Sequence, residues 1–194
     1  RPTPPDAVSY TAVVGACARA QLWGLAFRLL DGMELAHGVL PNIITFHAAV
    51  TSCKSTSRWK VSLTFLEAAR QRSISPDVEI LSAVVGVCGN FGPLGRTLSL
   101  FHSMRRYGPP PTPQTYSIVI SACAKQRQWG RAAQLFEEMA QRRLEISIAT
   151  YSAFIGAGGD ASRWLRATRA TLLELDLIAY GSVMDALESR GHWK

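Results

Sequence analysis

The sequence is poor in the residues that most site chemistry requires, and it spaces them badly for the purpose. It has four cysteines and four histidines. No CxxC pair occurs, and none of His37, His47, His102 and His192 stands at ligand spacing from another. Zinc ligands must converge within about 2.3 Å of one ion, so no metal or other cofactor is expected. The HExxH and GxSxG patterns are missing as well. Gly156-Ala157-Gly158-Gly159-Asp160 is glycine-rich, but it lacks the Lys-Ser/Thr of a phosphate loop and no strand pattern precedes it. It reads as a loosened turn. No pair of acidic residues can be placed in a pocket, so the expectation is a chain that is not an enzyme.

Long apolar runs are lacking too. The uncharged stretch from Ile80 to Gly95 is interrupted by Asn90, Pro93 and glycines. It is too short and too broken to span a bilayer. No signal peptide opens the chain. Arg1-Pro2-Thr3-Pro4-Pro5 reads as an extended lead-in. With no Met at the start, the expectation is a stretch of a longer protein, any targeting peptide lying upstream. Acidic residues are outnumbered, 14 against 21 Lys and Arg, for a net charge of +7. Such an excess suits a polyanion, either nucleic acid or an anionic membrane surface. Hydrophobic content of 47% is enough to supply a core.

What the sequence does have is a period. Cys17, Cys53, Cys88 and Cys123 are 36, 35 and 35 residues apart. Trp23, Trp59, Trp129, Trp164 and Trp193 follow at 36, 70, 35 and 29, with Leu94 in the skipped position. Met33, Met104 and Met139 keep the same phase, with Ala69 between them. Three residue types on one period of about 35 define an internal repeat. After a lead-in over residues 1–6, repeat 1 spans 7–42, repeat 2 spans 43–77, repeat 3 spans 78–112 and repeat 4 spans 113–147. A degenerate repeat 5 spans 148–176 and a partial repeat 6 spans 177–194.

Each repeat reads as two helices, A and B. Tyr116, Ile120 and Cys123 sit at helical spacing in helix A of repeat 4. Lys125-Gln126-Arg127-Gln128 is a polar turn. Trp129, Ala132, Ala133, Phe136 and Met139 then form the expected buried stripe of helix B. Small Ala26, Ala132 and Ala167 allow close helix approach. Pro5-Asp6, Pro41-Asn42 and Pro76-Asp77 punctuate the repeats, proline stopping one helix and Asp or Asn capping the next. One repeat cannot bury its own apolar face, but stacked neighbours can. The fold class is therefore all-α, an α-solenoid of helix–turn–helix repeats. The cysteines fall at one core position per repeat and are expected as reduced core thiols.

The period and the phrases PDAVSYTAVVGACARAQLWGLAFRLLDGM and TYSIVISACAKQRQWGRAAQLFEEM resemble the pentatricopeptide repeat family, in its 35-residue version. The resemblance covers nearly the whole chain. Tetratricopeptide repeats are the rival, but their Trp and Gly placement near the start of helix A is absent. The resemblance implies a right-handed superhelix that binds single-stranded RNA or ribonucleoprotein in an organelle, the plastid ahead of the mitochondrion. It implies a role in RNA processing, stability or translation.

In that family one base is read per repeat, mainly by the fifth residue and the last. Carried over, the pairs are Thr11 with Asn42, His47 with Asp77, Ser82 with Thr112, Ser117 with Ser147, and Ser152 with Asp176. Thr–Asn resembles an adenine-reading pair and Ser–Asp a guanine-reading pair. The other three are not standard. The second position clamps the base with Val or Ile, as at Val8, Ile44 and Ile178. Glu79, Gln114 and Ala149 depart from this, and a carboxylate at Glu79 opposes a polyanion. Arg19 and Lys125 occupy position 13, where the family often binds phosphate.

Repeat 1 has no net charge, whereas repeats 2, 3 and 4 carry +3, +2 and +2. Charge thus gathers where the base-reading positions are poorest, which suits phosphate contacts without sequence readout. Arg70, Arg72, Arg105, Arg106, Arg142 and Arg143 also fit a simpler role at the ends of B helices, where cations complement the helix dipole. Arg163, Arg166 and Arg169 make a one-sided basic stripe, either solvated or docked. The alternative function is a non-catalytic structural or adaptor subunit of a large organellar complex, with protein subunits docked on the repeats.

Overall fold

A computed structural model describes residues 6–55, 57–147, 150 and 153. The described residues hold eight α-helices and no strand. They are α1 (Ala7–Arg19), α2 (Trp23–His37), α3 (Ile43–Ser52), α4 (Trp59–Gln71), α5 (Val78–Phe91), α6 (Leu94–Tyr107), α7 (Pro113–Lys125) and α8 (Trp129–Gln141). Odd-numbered helices are the A helices and even-numbered ones the B helices. A 3-10 turn, Cys53–Ser55, extends α3. Apart from Thr150 and Ala153, repeats 5 and 6 lie outside the described residues, and with them Ala167, the Gly156–Asp160 stretch and the arginines at 163, 166 and 169.

The helix starts have a common cause. Asp6, Asn42, Asp77 and Thr112 each stand in extended backbone before an A helix, and each side chain accepts a hydrogen bond from the N–H three residues on. That satisfies a donor that the first helical turn would leave orphaned. The B helices start without a side-chain cap, on Leu22, Arg58, Pro93 and Gln128. Their ends close by a left-handed residue. Gly38, Ser73 and Arg143 have φ of 63°, 57° and 53°. The N–H one residue further on reaches back to the carbonyls of Met33, Ala69 and Met139, each at 3.0 Å. At Gly38 the bond reaches six residues back; at Ser73 and Arg143 it reaches five, the Schellman closure. Gln21 and Arg127 close α1 and α7 in the same way. Repeat 3 differs: Gly92 and Gly108 are extended. A Cβ on Gly92 would lie 2.9 Å from the Cys88 carbonyl oxygen and 3.3 Å from the Trp59 ring, so only glycine fits.

The chain divides into two compact units, Arg1–Pro110 and Pro111–Lys194. In the first, α1, α3 and α5 stand side by side, and each B helix packs on the A helix of its own repeat. Helix α4 also packs on α5, so repeat 2 is tied to repeat 3 through both of its helices. Leu30, Met33, Phe46, Phe65, Leu66 and Ile80 are fully buried in its core. Val13 shows what the neighbours do. It is 47% exposed on α1, whereas Ala49 and Val84 at the same repeat position are completely covered.

In the second unit, Tyr116, Ile120 and Cys123 of α7 and Ala132, Phe136 and Met139 of α8 are buried. The Tyr116 hydroxyl donates to Glu138 at 2.9 Å, and Glu138 also pairs with Arg142 at 2.9 Å.

None of the four cysteines is in a disulfide, and all four are buried. Burial pushes the thiol of Cys53 up to about 12 and that of Cys88 up to about 11, the latter opposed by a Ser62 hydrogen bond and the Arg96 charge. Burial raises Cys123 too, against the pull of Arg131. The tryptophans are placed differently from the expected stripe. Trp23, Trp59 and Trp129 each open a B helix but are only half-buried, as is Ala133. They seal the edge of the core: Trp23 meets buried Phe65 edge-on at 6.4 Å.

Candidate functional site

Among the described residues, the base-reading and clamp candidates carried over from the family resemblance lie at the N-terminal ends of the A helices or cap the next one. In repeat 1, Val8 and Thr11 lie three residues apart and share one face of α1. Val8 is 74% exposed. Asn42 caps the neighbouring helix α3, its Oδ1 accepting from the Thr45 N–H at 3.0 Å. The cap dictates which way the amide faces, because only the oxygen can accept. Nδ2, a pure donor, therefore points away from the cap.

Thr45 joins the pair. Its hydroxyl oxygen lies 3.0 Å from Asn42 Oδ1 and 2.8 Å from the Thr11 hydroxyl, which in turn lies 2.7 Å from the Ala7 carbonyl, each within donating distance. The same set recurs in the second unit. Ser117 Oγ contacts Thr150 Oγ1, Ser147 Oγ lies 2.9 Å from that same oxygen, and Ser147 accepts from the Thr150 N–H at 3.3 Å. Ser117 donates to the Pro113 carbonyl at 2.9 Å. Thr112 caps α7 by accepting from the Thr115 N–H at 3.2 Å.

Repeat 2 is built otherwise. Asp77 caps α5 through the Ile80 N–H at 2.8 Å, but Ile80 stands where Thr45 and Thr150 supply hydroxyls. His47 instead meets the position-2 residue of repeat 3. Its Nε2 lies 3.6 Å from Glu79 Oε2, with the side chains 40% and 72% exposed. Ile44, the clamp candidate of repeat 2, is 62% exposed, and Gln114 is also exposed. Ser82 on α5 is partly buried. Ser152, Asp176 and Ile178 lie outside the described residues. Asp6, the cap of α1, has its carboxyl held below the usual range, chiefly by the Ser9 backbone N–H at 2.7 Å.

The opposite ends of the A helices carry exposed cations. Arg19 closes α1 and Lys125 closes α7, where they also suit the helix dipole. The structure adds Lys54, which position-by-position matching missed. Ala18 and Ala124 at the equivalent positions are buried, but the 3-10 turn at Cys53–Ser55 leaves Lys54 exposed. Two B-helix arginines are already engaged. Arg72 is bound to Asp31 and lies 3.7 Å from Glu34, while Arg142 pairs with Glu138. The position-3 threonines were also missed. Their signal was present, since Thr45, Thr115 and Thr150 recur on the repeat period, but only the structure shows what they touch.

The PPR repeat model matches residues 8–36 and 114–144, so those two stretches resemble pentatricopeptide repeats. The chain resembles the pentatricopeptide repeat protein PPR10 in complex with an 18-nt psaJ RNA element at 23% identity and a TM-score of 0.71, covering 97% of this chain. It covers 27% of that one, so it spans about a quarter of its length; a structure of PPR10 from maize gives the same score. The PPR domain of Arabidopsis thaliana protein-only RNase P 1 in complex with tRNA matches at 10% identity and a TM-score of 0.69. The coverage there is 91% of this chain and 96% of that one. Nuclear proteinaceous RNase P 2 from A. thaliana matches at 13% and 0.66, over 93% and 41%. No curated protein matches the sequence closely. At these identities the structural likenesses establish the fold, a helical solenoid.

Proposed function

We propose that these repeats hold single-stranded RNA, in the service of organellar RNA processing, stability or translation. Bases would be met at the starts of the A helices and phosphates at their ends. The observation that carries this reading is the set Val8, Thr11 and Asn42. An exposed aliphatic clamp stands beside a hydroxyl oxygen and an amide fixed as donor. Adenine and cytosine present an exocyclic amino donor next to a ring-nitrogen acceptor. Thr11 can accept from the first and Asn42 Nδ2 can donate to the second. Guanine and uracil present the reverse order and would leave two donors facing each other. The family's adenine assignment agrees with this chemistry.

Elsewhere the grip is mainly electrostatic, through Arg19, Lys54 and Lys125. Affinity is therefore expected to fall steeply with salt, log K changing by about −0.7 per phosphate contact on a single strand for each tenfold increase. Filter binding of the full-length protein to mixed and A-containing strands at several salt concentrations tests it. Replacing Lys54 or Lys125 by Ala is expected to flatten the slope by about one contact each. No binding even at low salt overturns the RNA reading. Glu79, a carboxylate on the reading face, favours the adaptor reading, in which that face docks a protein segment and the same titration shows no binding.

A further inference from the structure

The known reading positions of a repeat are two, but here a third residue touches both of them. Thr45 is completely buried on α3, and its hydroxyl contacts Thr11 of the preceding repeat and Asn42 of its own cap. Thr150, also completely buried, makes the same two contacts with Ser117 and Ser147. Sites this similar in two separate units arise from repeat position, not from local accident.

Proton counting shows what the arrangement does in repeat 1. Thr11 and Thr45 bring two hydroxyl protons to three contacts: Thr11 with Ala7, Thr11 with Thr45, and Thr45 with Asn42. At any moment one contact goes without a proton. In one setting Thr11 donates to Thr45 and Thr45 to Asn42. The amide is then held by two hydrogen bonds and the Thr11 oxygen keeps its lone pairs for a ligand. In the other, Thr45 donates to Thr11 and Thr11 to Ala7, so Asn42 is held by its cap alone and Thr11 has one lone pair fewer. A third setting, with both hydroxyls donating outward, sets two bare oxygens 2.8 Å apart and is disfavoured.

We propose that Thr45 and Thr150 are positioning residues for base recognition, each coupling the fifth residue of one repeat to the last residue of that repeat. An amino donor arriving at Thr11 selects the first setting and so fixes Asn42 in place. Repeat 2 lacks the device, because Ile80 has no hydroxyl and His47 turns to Glu79. The proposal rests on the RNA reading above and goes beyond it in naming a residue that touches no base.

The test uses the full-length protein and strands in which one nucleotide at a time is A, C, G or U in a constant background. The readout is the ratio of affinities for amino and keto bases at the nucleotide facing repeat 1. Both affinities come from one protein sample, so the folded fraction cancels from the ratio. The unaltered protein is expected to discriminate by about fivefold or more, the low end for a good polar pair. Thr45→Val keeps the shape and the backbone N–H that caps onto Asn42, and it is expected to bring the ratio close to one. Thr45→Ser restores the hydroxyl and is expected to restore the ratio. A ratio that survives Thr45→Val overturns the proposal. So does binding without discrimination by the unaltered protein, which leaves the phosphate grip intact. No binding at all overturns the RNA reading itself. If Thr45→Val does not fold, Thr45→Ala, which also removes the hydroxyl and keeps the backbone N–H, decides by the same ratio at the same nucleotide.

Discussion

Phe27 of α2 stacks on Phe65 of α4, with ring centroids 4.3 Å apart and planes 14° from parallel. The pair joins the B helices of repeats 1 and 2, and Phe65 is fully buried beneath it. Phe65→Ala would remove this stack and the edge contact with Trp23 and leave a cavity at the joint. The expected loss is about 3–5 kcal/mol, read from urea unfolding. Trp23→Ala is expected to cost less, since that ring is half-buried. A loss below about 1 kcal/mol for Phe65→Ala would show that the two repeats do not share a core.

The turns supply a second test. Ser73 is exposed, with φ of 57°, in the left-handed region at the end of α4. A β-branched side chain there meets the backbone, at a cost of roughly 1–2 kcal/mol. Ser73→Val is expected to destabilise by that amount, whereas Ser73→Gly should be neutral or mildly stabilising. Equal effects of the two substitutions in thermal unfolding would contradict the turn geometry.

How much of this was legible in the sequence depends on the range of the interaction. Cys17, Cys53, Cys88 and Cys123 announced the period, and Asp6, Asn42 and Asp77 announced the helix starts, because burial and capping act within one repeat. The left-handed turns at Gln21, Ser73 and Arg127 were not legible. The chain places non-glycine residues there, and packing of the flanking helices overrides local preference. The 3-10 turn that exposes Lys54 was hidden for the same reason. The contact between Thr11 and Thr45 spans 34 residues and needs two helices side by side. Repeat position named Thr11 and Asn42, but only stacking reveals the hydroxyl between them. The half-burial of Trp23, Trp59 and Trp129 was missed because helical spacing tells which face turns inward and not how far the cover extends.

The buried thiols predict an alkaline instability. Their folded values, about 12 for Cys53 and about 11 for Cys88, lie above the ordinary thiol value of 9.0. A raised value means that folding favours the protonated form. That contribution is complete below about pH 9 and is withdrawn as pH rises towards 11 and 12. Unfolding midpoints should therefore drop more steeply between pH 9 and 11 for the unaltered chain than for a Cys53→Ala, Cys88→Ala double variant. The thiols should also resist alkylation at pH 8 until denaturant is added. Parallel pH profiles for the two proteins would refute the assignment.

The sharpest test of base reading is Asn42→Asp, because it changes one atom's role and leaves the helix cap in place. Asp and Asn cap helices about equally well, and the retained carboxylate oxygen still accepts from the Thr45 N–H. Stability of the RNA-free protein is expected to stay within about 0.5 kcal/mol. What changes is the atom turned away from the cap: an amide donor becomes a carboxylate acceptor. Beside the Thr11 hydroxyl, an acceptor suits the ring N–H of guanine or uracil and opposes the ring nitrogen of adenine or cytosine. Preference at the facing nucleotide should move away from adenine by about 1–3 kcal/mol. Total affinity should weaken on every sequence, since a negative charge now stands near the phosphates. The same exchange in the other direction at Asp77 should do little, because His47 is turned to Glu79 and no hydroxyl joins the pair. If Asn42→Asp weakens all strands equally with no change in base preference, Asn42 is a helix cap and nothing more.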